Sequence, residues 1–415
     1  MTDDPSRPGT RWVLVVVAAG VMGAAGTYQF AWSSLSGPVG TRVGASSTGL
    51  GNVFTAYIVA QTLVQFPAGS IRDRYGPRAI LVVSALFLAS GYAGLAVVRS
   101  YPLVLVAYTL GGVGCGIAYT VAVNTPVKWF TDRRGLATGA VTMAYGAVSV
   151  VAIPLLQSGL DASYRATLLT LAVVVGGAGL LAALVLRDPP TGTDATDDED
   201  TVSVDETAAV GWRSVLRTWQ FWVLFGVMVV VNGVGLMLIG QSVGFTRGLG
   251  MGAGTATTVA SVIALADAGG IVVVSALSDR LGGERTVGAS LLLCGCSLAG
   301  AVVVGVRGLA PLFVLLVGAT AFFRSPVFAV FPSLVGRYYG RARSSENYAL
   351  VYSAKVPGGI LGGTVAGFLI ARTGWTPSFL AGAALLALAG LATLTLRSGD
   401  LVEEDEHVEA GQQTG

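Results

Sequence analysis

Charge is the scarcest resource in this chain. Of 415 residues, 12% are Asp, Glu, Lys or Arg, while 53% are hydrophobic. An ordinary soluble domain carries about 25% charged residues, so this composition excludes a water-soluble enzyme or nucleic-acid binder and points to a membrane protein. Histidine is almost missing: the single His407 stands in an acidic C-terminal stretch. The three cysteines, Cys115, Cys294 and Cys296, all fall in apolar runs, where they read as small packing residues rather than disulfide partners or metal ligands. No zinc site and no Ser-His-Asp triad can be assembled from these residues within the apolar runs, so an intramembrane enzyme is not expected. The glycine runs Gly111–Gly116 and Gly358–Gly363 lie inside apolar segments with no Lys-Ser/Thr after them, so neither reads as a nucleotide-binding loop. Neither a cofactor nor a metal is expected. Lysine is nearly absent as well: Lys128 and Lys355 are the two, and arginine stands at every other basic position.

What is abundant is apolar length. Twelve apolar segments, the first at about 12–36 and the last at about 376–396, each approach the roughly 20 residues needed to cross a bilayer. This predicts an all-α membrane protein of twelve transmembrane helices. The 58 glycines then read as close-packing positions between helices rather than as loops. One connection is long: residues 187–217 are polar, proline-containing and acidic, and predict a mostly disordered linker. The chain therefore divides into an N-terminal six-helix half (1–186), the linker (187–217), a C-terminal six-helix half (218–397) and a disordered acidic tail (398–415). The acidic runs Asp197–Asp200 and Glu403–Glu406 read as solvated segments.

Placing the loops alternately on two sides leaves Arg42, Arg99, Arg165, Arg247, Arg307 and Arg372 on one side. Every other loop cation falls on the opposite side. That bias predicts a multi-pass protein of the cytoplasmic membrane with both termini and the linker in the cytoplasm. The N-terminal residues lack a cleavable signal pattern.

Three charges remain inside the spans: Asp267 in the eighth, Arg324 in the tenth and Lys355 in the eleventh. A charge at mid-bilayer costs about 2.5–3.5 kcal/mol on insertion scales, so each needs a partner or a role. Two cations and one anion leave a positive surplus, which predicts a small organic anion as the missing partner. Asp267 reads either as a counter-ion of Arg324 or Lys355 or as a proton carrier. Polar and aromatic residues deep in their spans complete the candidate pocket: Tyr28 and Gln29 with Trp32, then Tyr119, Tyr145 and Tyr352, with Asn232 and Gln241 as weaker candidates.

The halves repeat. GSIRDRYGPR (Gly69–Arg78) follows the second span and SALSDRLGGER (Ser275–Arg285) follows the eighth. A repeat at this spacing marks a transporter built from two six-span units with its site between them. The pattern Gly69-x-x-x-Asp73-Arg74-x-Gly76-x-Arg78 resembles the signature loop of the major facilitator superfamily. The stretches Pro126–Gly139 and Phe331–Lys355 resemble the oxalate:formate antiporter and its monocarboxylate-transporter relatives. The resemblance implies that Lys355 binds a substrate carboxylate, that aromatic side chains wall the pocket, and that Asp73, Arg74 and Arg78, with Asp279 and Arg280 in the second copy, form a gating latch. In that group an arginine in the eighth span supplies a second cation. Here that span holds Asp267 and no arginine, and Arg324 is the candidate replacement.

The expectation is a secondary transporter of a mono- or dicarboxylate working by alternating access, a monomer in the lipid bilayer. It would use either anion exchange or proton symport. An exporter of hydrophobic or cationic compounds and a non-transporting membrane sensor with the same fold are the alternatives.

Overall fold

The computed structural model describes residues 8–130, 134–188, 212–339 and 344–396. These are helical almost throughout. The first span is α1 (Pro8–Phe30) and α2 (Trp32–Val43); the next five are α3 (Ser47–Tyr75), α4 (Pro77–Val97), α5 (Tyr101–Trp129), α6 (Arg134–Ala162) and α7 (Tyr164–Val185). A short helix α8 (Trp212–Val215) precedes α9 (Trp219–Gly248), α10 (Ala253–Leu281) and α11 (Gly283–Val306). The tenth span is split into α12 (Ala310–Arg324) and α13 (Val327–Tyr339). The eleventh runs as α14 (Ser344–Tyr352), α15 (Lys355–Ile360), a π-helical turn (Leu361–Val365) and α16 (Ala366–Thr373). The twelfth is α17 (Trp375–Leu394). Eleven of these twelve spans are long and apolar enough to cross a bilayer. The exception is α3. It is 29 residues long, and it turns its polar residues Thr55 and Gln61 toward the other half of the molecule rather than toward lipid.

Two ends can be distinguished. The proximal end carries the start of α1 and the α3–α4 and α10–α11 connections. The distal end carries the α2–α3, α9–α10 and α16–α17 connections. The repeat seen in the sequence recurs in the backbone at the proximal end. Gly76 and Gly282 both take positive φ, 76° and 85°, and each ends one helix and begins the next. Only glycine enters that region without steric cost, which accounts for its presence in both copies. At α3, α7 and α9 the helix start is capped by a side chain: Ser46 Oγ accepts from Gly49 N, Ser163 Oγ from Ala166 N and Thr218 Oγ1 from Phe221 N.

Small residues set the helix spacing. A Cβ at Gly112 or Gly116 of α5 would run into the backbone oxygens of Tyr57 or Gln61 on α3, so these two helices meet backbone to backbone. The two halves touch mainly through α3 against α15, the π turn and α16, and through α6 against α10. At the distal end the α3 contact is a glycine seam. A Cβ on Gly51 would strike the Gly363 carbonyl, and one on Gly367 would strike that of Ser47.

The predicted linker is more structured at its ends than its composition suggested. Asp188 is held by Arg72 (3.0 Å) and Lys128 (3.3 Å), and residues 212–215 form α8. The acidic runs Asp197–Asp200 and Glu403–Glu406 lie outside the described residues.

Candidate functional site

Three spans are interrupted along their length. The first span interrupts at Ala31, between α1 and α2. The tenth breaks at Ser325-Pro326, where proline removes a backbone donor and ends the hydrogen-bond ladder. The eleventh breaks at Ser353-Ala354 and continues through the six residues of α15 into the π turn. Discontinuous spans are tolerated only where backbone lines a cavity or is buried in protein. Here they surround a cavity of about 560 Å³ between the halves. Its lining residues run from mid-helix toward the proximal end: Gln29 of α1, Tyr119 of α5, Thr138 and Tyr145 of α6, Asp267 of α10, Arg324 and Pro332, and Tyr348, Tyr352 and Lys355. The glycine seam closes its distal side.

The three intramembrane charges all reach this cavity. Arg324, at the last residue of α12, donates from Nη2 to Asp267 Oδ1 and forms an ion pair with it. Its guanidinium also lies 5.3 Å from the Phe328 ring centroid. Gly235 of α9 makes room for this side chain: a Cβ there would stand 2.6 Å from Arg324 Cδ. Lys355 is 6% exposed and forms no ion pair among the described residues. Its Nζ donates to Gln61 Oε1 on the opposite half at 3.3 Å and lies 5.9 Å from the Tyr352 ring centroid. Of the two counter-ions open to Asp267, the fold selects Arg324. The positive surplus therefore resides on Lys355.

Behind Lys355 stands a buried polar cluster of the N-terminal half. Gln61 Nε2 donates to Tyr145 Oη at 2.7 Å and to Cys115 Sγ at 3.2 Å, and Tyr145 Oη donates to Gln29 Oε1 at 3.1 Å. Tyr57 Oη lies 3.3 Å from Cys115 Sγ and 3.4 Å from Tyr145 Oη.

Of the pocket residues expected from sequence, Gln29, Tyr119, Tyr145, Tyr352, Arg324, Lys355 and Asp267 line the cavity, as does Asn232. Tyr28 does not. It is fully buried within the N-terminal half, where its ring fills the space above Gly91 and Gly111 and its hydroxyl donates to Leu88 O. Trp32 stacks with Phe54, also away from the cavity, and Gln241 is buried outside the lining. Of the expected gating latch, Arg74 and Arg78 are the members with described side chains. Arg74 and Arg78 are exposed and form no ion pair among the described residues. The buried member is Arg72, which ties α3 to Asp188 after α7. The side chains of Asp73, Asp279 and Arg280 lie outside the described residues. Gln61 was missed. Its one signal was an uncharged polar side chain at mid-span in α3, the span that falls short of the apolarity of the others. The partner that gives it meaning is 294 residues away.

With this geometry in hand, the likenesses to known proteins are informative. A family model described as the Major Facilitator Superfamily matches residues 17–265 and 227–413. The oxalate:formate antiporter of Oxalobacter formigenes is 31% identical over 378 residues, which cover 90% of this chain and 88% of that protein. Human monocarboxylate transporter 11 is 30% identical over 425 residues, covering 93% and 83%. Among solved structures, that of the nucleoside transporter NupG superposes with a TM-score of 0.73 at 14% identity, covering 94% of this chain and all of that one, a likeness of fold alone. Twelve spans in two repeats, a cavity between the halves and these matches agree: the chain belongs to the major facilitator superfamily of membrane transporters.

Proposed function

We propose that this transporter carries a small organic anion, a mono- or dicarboxylate, by alternating access, with Lys355 as the anchor of the carboxylate. The observation that carries this reading is the unequal neutralisation of the two buried cations. Arg324 is matched by Asp267, whereas Lys355 faces the cavity with only a neutral amide as acceptor. A buried ammonium without a counter-charge is costly, and an incoming carboxylate would supply the missing partner. Tyr119, Tyr145, Tyr352 and Gln29 provide hydroxyl and amide groups around the anion. The Arg324–Asp267 pair adds a second cationic face whose fork can turn toward the substrate. The names of the antiporter and monocarboxylate relatives support the same substrate class.

On this reading the halves 1–186 and 218–397 rock about the cavity, joined by the linker 187–217. The proximal end, richer in Lys and Arg, faces the cytoplasm together with both termini, and the working unit is a monomer in the cytoplasmic membrane. Drive comes from exchange for a second anion or from a proton carried at Asp267.

The test is flux of labelled oxalate, formate, lactate and pyruvate into proteoliposomes, with and without a pH gradient. Lys355→Ala is expected to lower carboxylate flux at least about tenfold, given the roughly 1.5–3 kcal/mol of a hydrogen bond to a charged group. Flux that follows the pH gradient selects symport. Flux that requires a trapped internal anion selects exchange. An alanine variant matching the wild type would end the carboxylate reading.

A further inference from the structure

We infer that Gln61 is a positioning residue for Lys355, and that their bond is a latch between the halves which anion binding releases. The inference rests on the carboxylate reading above and goes beyond it.

The orientation of the amide is fixed. Gln61 is fully buried, and its two N–H donors are both engaged within the N-terminal half, by Tyr145 Oη and Cys115 Sγ. The flipped amide would turn an NH₂ group toward an ammonium, which has no acceptor to offer. Oε1 is therefore the end that meets Lys355. It is a neutral acceptor: it holds the ammonium in place and leaves its charge uncancelled. A carboxylate at this position would do the substrate's work permanently.

The location of the bond matters as much as its chemistry. Gln61 belongs to α3 and Lys355 to α15, on opposite halves. Distal to it, Thr55 Oγ1 donates to Gly359 O (3.1 Å) and accepts from Thr364 N (2.9 Å), and the Gly51–Gly363 contact follows. The Lys355–Gln61 bond is thus the rung of the distal seal nearest the cavity. Opening the distal end requires the rung to break. In an empty carrier that strands a buried ammonium. In a loaded carrier the substrate carboxylate holds the ammonium through a stronger, charge-assisted bond, so the halves can part. Loaded carriers therefore reorient readily and empty carriers do not, which favours exchange over net flux.

The experiment compares Gln61→Ala and Gln61→Glu with the wild type in proteoliposomes, using whichever of labelled oxalate, formate, lactate or pyruvate the wild type carries. Both exchange and net efflux are measured, alongside substrate protection against thermal unfolding of the purified protein. In Gln61→Ala net efflux is expected to rise at least about threefold relative to exchange, because the empty carrier is no longer latched. Gln61→Glu is expected to lose at least about tenfold in affinity, since its carboxylate repels the substrate's and occupies Lys355. Gln61→Asn, which keeps the neutral acceptor, should move net efflux least. An unchanged exchange-to-net ratio in Gln61→Ala, or full affinity in Gln61→Glu, overturns the inference. A variant that binds with wild-type protection but does not unfold at a lower temperature is folded, so its flux ratio decides. If the wild type carries no carboxylate, or Lys355→Ala matches it, the carboxylate reading itself has failed, and that result is distinct from a failure of Gln61 alone.

Discussion

Arg324 and Lys355 have the same formal charge, are both buried and line the same cavity, yet they solve their desolvation differently. Arg324 has a carboxylate; Lys355 has an amide. Removing one member of a buried ion pair leaves the other uncompensated, at a cost of about 3–5 kcal/mol, whereas removing both is far milder. Asp267→Ala and Arg324→Met are therefore each expected to destabilise the protein by that order. The double variant should cost clearly less than their sum, read by thermal unfolding in detergent. Additive losses would mean that the two side chains do not depend on each other. The same contrast separates the tyrosines. Tyr28 and Tyr145 read alike in sequence, but Tyr28 is consumed by packing over Gly91 and Gly111, while Tyr145 hands a hydrogen bond from Gln61 to Gln29 at the cavity.

At the scale of the element, the informative features are the interruptions. Pro326 and the glycines around Lys355 are visible in the sequence, and a break near each could be expected. The break at Ala31 has no proline beside it and had no such signal. The π turn Leu361–Val365 places Gly363 against Gly51 and Thr55 of α3, and a Cβ on Gly363 would collide with Thr55 Oγ1. Gly363→Val is expected to pry the distal seam apart and bias the carrier toward a distally open state. Spin labels placed on α3 and α16 near the distal end should report a longer separation in the variant than in the wild type. An unchanged distance would show that the seam is not set by this contact.

Across the whole molecule, the halves meet closely along the distal glycine seam of α3, while the cavity that holds the three charges runs toward the proximal end. On the proposed reading, loop charge places the proximal end in the cytoplasm, because cations are retained on that side during insertion. An impermeant maleimide applied to intact cells is expected to label Arg99→Cys, in the distal connection after α4, and not Arg78→Cys at the proximal start of α4. The unmodified protein serves as the blank, since Cys115 and Cys294 are buried and Cys296 lies in an apolar span. The opposite labelling pattern would invert the topology.

The sequence alone determined the solvent, the number of spans, the repeat and the presence of a cationic surplus in the membrane. Each of these follows from run length and charge placement, which are one-dimensional quantities. It also located Lys355, Arg324 and Asp267, because a charge in an apolar run is conspicuous without any knowledge of its neighbours. Tertiary structure decided which cation Asp267 neutralises, that Gln61 answers Lys355, that Tyr28 leaves the pocket and that Arg72 rather than Arg74 or Arg78 is the buried member of its loop. The reason is geometric. A helix in lipid is apolar all round, so periodicity gives the depth of a residue and not the direction it faces. Partners 57 or 294 residues apart meet only when the small residues have fixed how closely the helices approach.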